Sequence, residues 1–205
     1  MKIFIAVPTF ENISPDTFKS IYGLDRAGHW VVFDYVRGYD CAMARNMIGR
    51  QAIDENADYV LMVDSDIVVP GNALELMLSH EKEVIIGCCP HRNNRNIYEG
   101  MTSICKNDGE FDYTHQYSGA EIRELREKGQ YLIQIHGGGM GCTLIKTELF
   151  RMLPYPWFKW TDYGNGNVLS EDLYFCEQCK AAGIPIYTDT RVTPGHIFRH
   201  VQEVI

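Results

Sequence analysis

The sequence predicts an α/β fold in which a largely parallel sheet is covered by helices on both faces. Two patterns predict it. The first half of the chain alternates short apolar runs of strand length with longer runs of helix length. The strand-length runs are apolar throughout, as strands buried on both faces require. In addition, no repeat, low-complexity tract or linker divides the 205 residues, so one domain with a substantial core is expected.

The elements follow in order. "KIFIAV" reads as a buried strand. "SPDTFKSIYGL" reads as a helix, with Ser14 placed to N-cap and Pro15 at the first helical position. "HWVVFDYV" is a strand, and "CAMARNMIGRQAIDENA" a helix with Met43, Met47 and Ile48 on one side. "YVLMV" is a strand, "NALELMLSHEKE" a helix entered through Pro70 and Gly71, and "EVIIGCC" a strand. The second half differs. Residues 91–118 are polar and aromatic, with Asn93, Asn94, Asn96, Asn107 and Gly109 against any long element. "SGAEIRELREKG" is a helix, with Ser118 and Glu121 in capping-box spacing and Gly129 as its stop. "YLIQIH" and "CTLIK" are strands around "GGGMG". "SEDLYFCEQCKAAG" is a helix capped by Ser170 and ended at Gly183, "IPIYTDT" a last strand, and "RVTPGHIFRHVQEVI" the tail.

Composition narrows the function classes. Hydrophobic residues at 45% and charged residues at 22% fit a globular protein. The net charge of −8 argues against a general nucleic-acid-binding surface. No apolar run approaches membrane-spanning length, and "MKIFIAVPTF" lacks the features of a signal peptide. Seven scattered cysteines suggest a reducing, cytoplasmic location. The lone C-x-x-C of Cys176 and Cys179 has no second cysteine pair to make a zinc site, and reads as two small helix residues.

The chemistry concentrates in four places. "VDSDIVVP" puts Asp64, Ser65 and Asp66 at the end of a buried strand. Ligands of open α/β sheets sit beyond such ends. Two carboxylates sharing one side repel unless a cation joins them, so the triplet suggests a hard divalent ion with a diphosphate. A short acidic turn is the plain alternative. "LSEDLYF" puts Glu171 and Asp172 in the first turn of a helix. The helix dipole alone would justify acids there, and a general base is the functional alternative. "TPGHIF" holds His196 in a constrained turn, where it would complete a metal site or simply be hydrogen-bonded. "HGGGMGC" fits neither a P-loop nor a dinucleotide fingerprint. Its glycines allow close backbone approach, a bulge or a flexible turn.

The order of "IAVPTF", "ARN", "VDSDIVVP", "GGGMGCTLIKTELF", "SEDLYFCEQCKAAGIPIYTDT" and "GH" resembles a compact GT-A-type glycosyltransferase of the family-two-like kind found in bacteria and phages. The resemblance covers nearly the whole chain. It implies a single GT-A (Rossmann-like) domain over 1–205, with a mostly parallel central sheet and a smaller antiparallel portion. Residues 1–90 would form the nucleotide-binding half and 91–205 the acceptor and catalytic half. It implies a metal site of Asp64, Asp66 and His196 holding Mn2+ or Mg2+, with Asp66 the direct ligand before Asp64. It implies donor contacts from Pro8, Thr9, Asp34, Arg45, Asp64, Ser65 and Gly139, with Asp40 an equal candidate to Asp34. Gly138 to Gly141 would line the donor sugar or acceptor. Asp172 would be the catalytic base and Glu171 its neighbour. Trp157 and Trp160 are candidates for stacking on a sugar face, or for packing in a Pro-rich turn.

The implied reaction moves a sugar from a nucleotide-diphosphate sugar, a UDP-sugar first, to an acceptor hydroxyl of a glycan, protein or small molecule. Inversion is the default, and a retaining route is open. In so short a chain, the acceptor site must come from 91–130, the 154–168 loop or a partner subunit of a homo-oligomer. A nucleotidyltransferase or pyrophosphorylase would need a Gly-rich basic signature after the first strand, where "PTFENISPD" stands. A non-catalytic nucleotide-sugar-binding protein would not need Asp64, Asp66, Asp172 and His196 together.

Overall fold

The computed structural model describes residues 1–38, 40–91, 100–107, 113–164 and 166–197. Its elements are β1 (Lys2–Thr9), α1 (Pro15–Tyr22), β2 (Trp30–Arg37), α2 (Cys41–Asp54), β3 (Tyr59–Val63), β4 (Ile67–Val68), α3 (Ala73–Leu78), β5 (Val84–Gly87), β6 (Met101–Cys105) and β7 (Gln116–Ser118). There follow α4 (Gly119–Glu127), β8 (Leu132–Ile135), β9 (Gly137–Gly138), β10 (Cys142–Lys146), α5 (Leu149–Met152), β11 (Thr161–Asp162), β12 (Val168–Leu169), α6 (Glu171–Ala181), β13 (Ile186–Asp189) and β14 (Gly195–His196). Asn93, Asn94, Asn96, Gly109 and the tail beyond Ile197 lie outside the described residues.

Seven strands form one sheet in the order β2-β1-β3-β10-β5-β13-β8, drawn from both halves of the chain. β2, β1 and β3 pair in parallel, as do β5 and β13. β10 is inserted antiparallel between β3 and β5, and β8 closes one edge antiparallel to β13. Most strands therefore run one way, and β10 interrupts them at the centre. Strand alternation sends side chains to opposite faces. Ile3, Ile5 and Val7 join Ile21, Leu74 and Met77 of α1 and α3 in one core. Phe4 and Ala6 join Ile48, Phe150 and Phe175 of α2, α5 and α6 in the other. Helices thus cover both faces.

Local signals account for most helix ends. Ser118 and Glu121 form the expected capping box, and Gly129 and Gly183 take positive φ angles of 76° and 71° just past their helices. Asp40 caps α2, accepting from the Met43 N–H at 2.7 Å. Three expectations change. Ser14 and Ser170 stand at N-cap positions without making a cap bond. α2 buries Ala44, Arg45, Ile48 and Ala52, while Met43 and Met47 face outward, because the sheet takes the small-residue side of the helix. β2, expected to be buried, is an exposed edge strand.

Candidate active site

The sheet's carboxyl end carries the acidic cluster. β3 is buried along its whole length and ends at Val63, so Asp64 is the first residue free to leave the core. Its N–H donates to the Gly141 carbonyl at 2.9 Å, which fixes the start of the loop. Three residues later β4 begins and pairs antiparallel with β14, and His196 stands opposite Ile67. The Ile197 N–H donates to the Asp66 carbonyl at 2.9 Å. This short ladder brings His196 Nε2 to 3.4 Å from Asp66 Oδ2. His196 Nδ1 lies 2.9 Å from the Pro90 carbonyl, which can only accept, so Nδ1 carries a proton and Nε2 is the nitrogen that faces Asp66.

Asp64 turns the other way. Its Oδ1 lies 2.7 Å from Arg45 Nη2, and Arg45 Nη1 contacts Glu171 Oε1. Arg45 is 2% exposed and Glu171 4%, so the guanidinium is an internal bridge between the acidic loop and the start of α6. Burial pushes the Asp64 and Glu171 carboxyls upward, and Arg45 pulls each back. Burial would lower the guanidinium itself, but Asp64 and Glu171 more than reverse this and hold it charged. Arg45 was expected at the nucleotide, and Glu171 beside the chemistry. The structure shows Arg45 paired with both Glu171 and Asp64, because a charge at this depth needs a partner.

Asp172 follows Glu171 and points to the outer side. Its Oδ1 takes the Ser170 hydroxyl and the Leu173 N–H, the latter at 2.8 Å. Its Oδ2 faces Gly139, where an added Cβ would sit 3.4 Å away. The glycine run serves close approach. β9 pairs with β6, and a Cβ on Gly138 would stand 2.8 Å from the Ser103 carbonyl, one on Gly137 3.0 Å from Cys176, and one on Gly141 3.2 Å from the Cys89 sulfur. None of these four glycines has a positive φ, so packing rather than turn geometry requires them.

A cleft of about 280 Å³ opens beside the cluster, lined by Pro8, Thr9, Phe10, Gly38, Asp40, Cys41, Ala44, Asp64, Ser65 and Asp66. Pro8, Thr9 and Ser65, expected at the donor, are thus among the lining residues. Asp34 is not among the lining residues. It pairs with Ala6, short of the strand end, and accepts from the Tyr35 N–H at 2.8 Å. Asp40 takes the position at the cleft. Trp157 is 5% exposed and packs under Gly49 of α2, so it is a core residue and cannot stack on a sugar, whereas Trp160 is 51% exposed. Cys176 and Cys179 are buried free thiols, pushed up by burial, Cys179 to about 12. They pack, as their lone C-x-x-C suggested. The sequence did not single out Cys41 or Phe10, which also line the cleft.

Among the described residues, no three His, Cys, Asp or Glu side chains stand together as a metal cage. Of the expected ligands, Asp66 and His196 are together, and Asp64 is held by Arg45. The residues still fit a divalent ion. An imidazole nitrogen faces a carboxylate oxygen, and the carboxyls of Asp64, Asp66, Glu171 and Asp172 gather around the one guanidinium of Arg45. Ions of the Mg2+ or Mn2+ class need few protein ligands when phosphate oxygens supply the rest.

No protein-family profile and no curated protein matches the sequence. Solved structures do match in fold. A197 from STIV superposes with a TM-score of 0.62 at 16% identity, over 97% of this chain and 87% of that one. GalNAc-T7, in a structure with UDP, GalNAc and Mn2+, gives 0.61 at 12% identity over 97% of this chain. TarS 1-349 from S. aureus gives 0.53 at 14% identity over 96%. The chain spans 43% of the GalNAc-T7 chain and 60% of the TarS chain. At identities this low the likeness speaks for architecture, and the chain has a GT-A-like glycosyltransferase fold.

Proposed function

We propose that the protein is a metal-dependent glycosyltransferase that moves a sugar from a nucleotide-diphosphate sugar, a UDP-sugar first, to an acceptor hydroxyl with inversion. The observation that carries this reading is the β4–β14 ladder, which sets His196 Nε2 3.4 Å from Asp66 Oδ2 at the mouth of a cleft lined by Pro8, Thr9 and Asp40. The GT-A-like fold supports it, as does the UDP and Mn2+ in the GalNAc-T7 structure. Asp66 and His196 would hold Mn2+ or Mg2+, which when bound offsets charge on the leaving diphosphate. Pro8, Thr9 and Ser65 border the nucleoside side of the cleft.

Asp172 is the base in this reading. Ser170 and Leu173 occupy its Oδ1, which leaves Oδ2 to accept the acceptor's proton as the hydroxyl attacks. Gly139 keeps the approach to Oδ2 open. Arg45 and Glu171 hold the first turn of α6 against the Asp64 loop, and so fix Asp172 relative to Asp66. The seven free cysteines support a reducing compartment, the cytoplasm.

UDP with Mn2+ at about a hundred times its dissociation constant should stabilise the protein by about 2.7 kcal/mol. For a chain of this size that raises Tm by about 5–10 °C. Asp66→Ala and His196→Ala should abolish the shift, and Asp172→Asn should keep it while losing transfer. An undiminished shift in both Asp66→Ala and His196→Ala would overturn the metal assignment.

A further inference from the structure

The β2 edge of the sheet carries a cluster of exposed rings. Alternation along β2 puts Val31, Phe33 and Tyr35 on the face that α1 covers. α1 buries Thr17 and Ile21 and turns Phe18 and Tyr22 out beside the strand. The Phe18 ring lies 6.4 Å from that of Tyr22, stacked, and 6.0 Å from that of Phe33, edge-on. The three rings therefore form one surface across helix and strand. Tyr35 continues it along β2, and Trp30 opens the strand on its other face. The five rings are 37–76% exposed. Their base is fixed. The Ser20 hydroxyl donates to the Thr17 carbonyl at 2.8 Å and accepts from the Val69 N–H at 3.0 Å, which pins α1 to the segment after β4. A contact on these rings therefore costs little ordering.

Apolar surface of this size marks an interaction site. The five rings leave about 600 Å² in water. With the stems of Lys19 and Arg37 beside them, the face approaches the roughly 800 Å² that each partner of a stable interface contributes. Charge selects the partner. The chain carries −8, which repels anionic lipid and nucleic acid, and repels a second copy at most faces too. At this face the exposed charges balance, Asp16 and Asp34 against Lys19 and Arg37. A two-fold axis sets a face against itself, so a neutral apolar face is one that a copy of the same chain can meet.

We propose that the chain forms a two-fold homodimer in which Phe18, Tyr22, Phe33 and Tyr35 of each copy pack against the same rings of the other, with Trp30 at the rim. The contact is between side chains rather than by strand pairing, because Asp34 already accepts the Tyr35 N–H at 2.8 Å. It needs neither nucleotide nor metal, so its test stands apart from that of the reaction.

Sedimentation equilibrium of the full wild-type chain at micromolar concentration should give twice the chain mass of 23.5 kDa. Tyr22→Glu, which puts two added acids into the contact, should give a monomer with the circular dichroism of the wild type. Tyr163→Glu, at an exposed ring elsewhere, should stay dimeric. Hydroxyl-radical labelling of the wild type reads the same face without a variant. Tyr22 at 76% and Tyr163 at 68% are about equally open in the single chain, so Tyr22 should be labelled several-fold less than Tyr163. A wild-type monomer overturns the proposal, and binding of that monomer to phosphatidylcholine and phosphatidylglycerol vesicles would give the face to a membrane instead. A dimer that survives Tyr22→Glu, that yields to Tyr163→Glu, or in which Tyr22 is labelled as readily as Tyr163 overturns it equally.

Discussion

Arg45→Met tests the electrostatic core of the site. Arg45 is 2% exposed and bridges Asp64 and Glu171. Methionine keeps much of the volume and removes the charge, which leaves the buried Glu171 carboxylate and the part-buried Asp64 without their partner. Removing one partner of a buried ion pair costs about 3–5 kcal/mol. For a chain of about 200 residues each kcal/mol moves Tm by about 2–4 °C, so a fall of about 6–20 °C is expected. The measurement is thermal unfolding by circular dichroism without nucleotide or metal. The triple variant Arg45→Met, Asp64→Asn, Glu171→Gln removes the stranded charges and should recover most of the loss. Arg45→Lys should fall between, because one ammonium cannot match the two-sided guanidinium. A fall in Arg45→Met below about 2 °C, or a triple variant no more stable than the single one, would refute the bridge as the element holding α6 to the acidic loop.

Two further outcomes follow from other parts of the fold. Asp189 is fully buried at the end of β13 and takes hydrogen bonds from Arg191 Nη2 at 2.6 Å, Arg191 Nε at 3.0 Å and the Arg191 N–H at 2.8 Å, with His80 Nε2 at 2.7 Å. Burial alone would raise this carboxyl, but the Arg191 and His80 contacts outweigh it and hold it below its ordinary value. A lowered folded pKa gives stability that is complete above the unfolded value of about 4 and is lost as pH falls through the folded value. Urea midpoints should therefore drop below about pH 4 in the wild type, and Asp189→Asn should be weaker at neutral pH with a flatter acid limb. Separately, Cys41 is the exposed thiol among seven and lines the cleft. Maleimide should label it first in the native protein, and UDP with Mn2+ should slow that labelling.

The layered fold was legible because its cause is local. Strand-length apolar runs such as "YVLMV" must be covered on both faces, and helices supply that cover. The antiparallel insertion of β10 was not legible. "CTLIK" reads as a buried strand whichever way it runs, and only the "GGGMG" segment, which lets the backbone pass within contact of Ser103 and Cys89, returns the chain at that point. The exposure of β2 was hidden for a related reason. "HWVVFDYV" has a core strand's composition, but α1 and α2 leave Trp30 and Tyr35 uncovered. At that edge Asp34 satisfies the Tyr35 N–H itself, a device that blunts an open strand.

At the site, the resemblance grouped His196 with Asp64 and Asp66, but nothing in the sequence paired Arg45 with Asp64 and Glu171. Asp64 and Asp66 are equivalent in a D-x-D triplet, and alternation alone would aim both the same way. The turn after β3 separates them, and each then meets a different group. Asp66 meets His196 across a two-residue ladder, at a sequence separation no spacing rule reaches. Asp64 meets Arg45, whose place on the buried side of α2 is set by Ala44 and Ile48 packing beside it. The same division occurs in "SEDLYF". Glu171 turns inward to Arg45, and Asp172 turns outward past Gly139. In each acidic pair one member therefore contacts Arg45 and the other turns away from it. A single buried arginine is what makes the members of each pair differ, so the division of carboxylates on which the proposed function relies traces to Arg45.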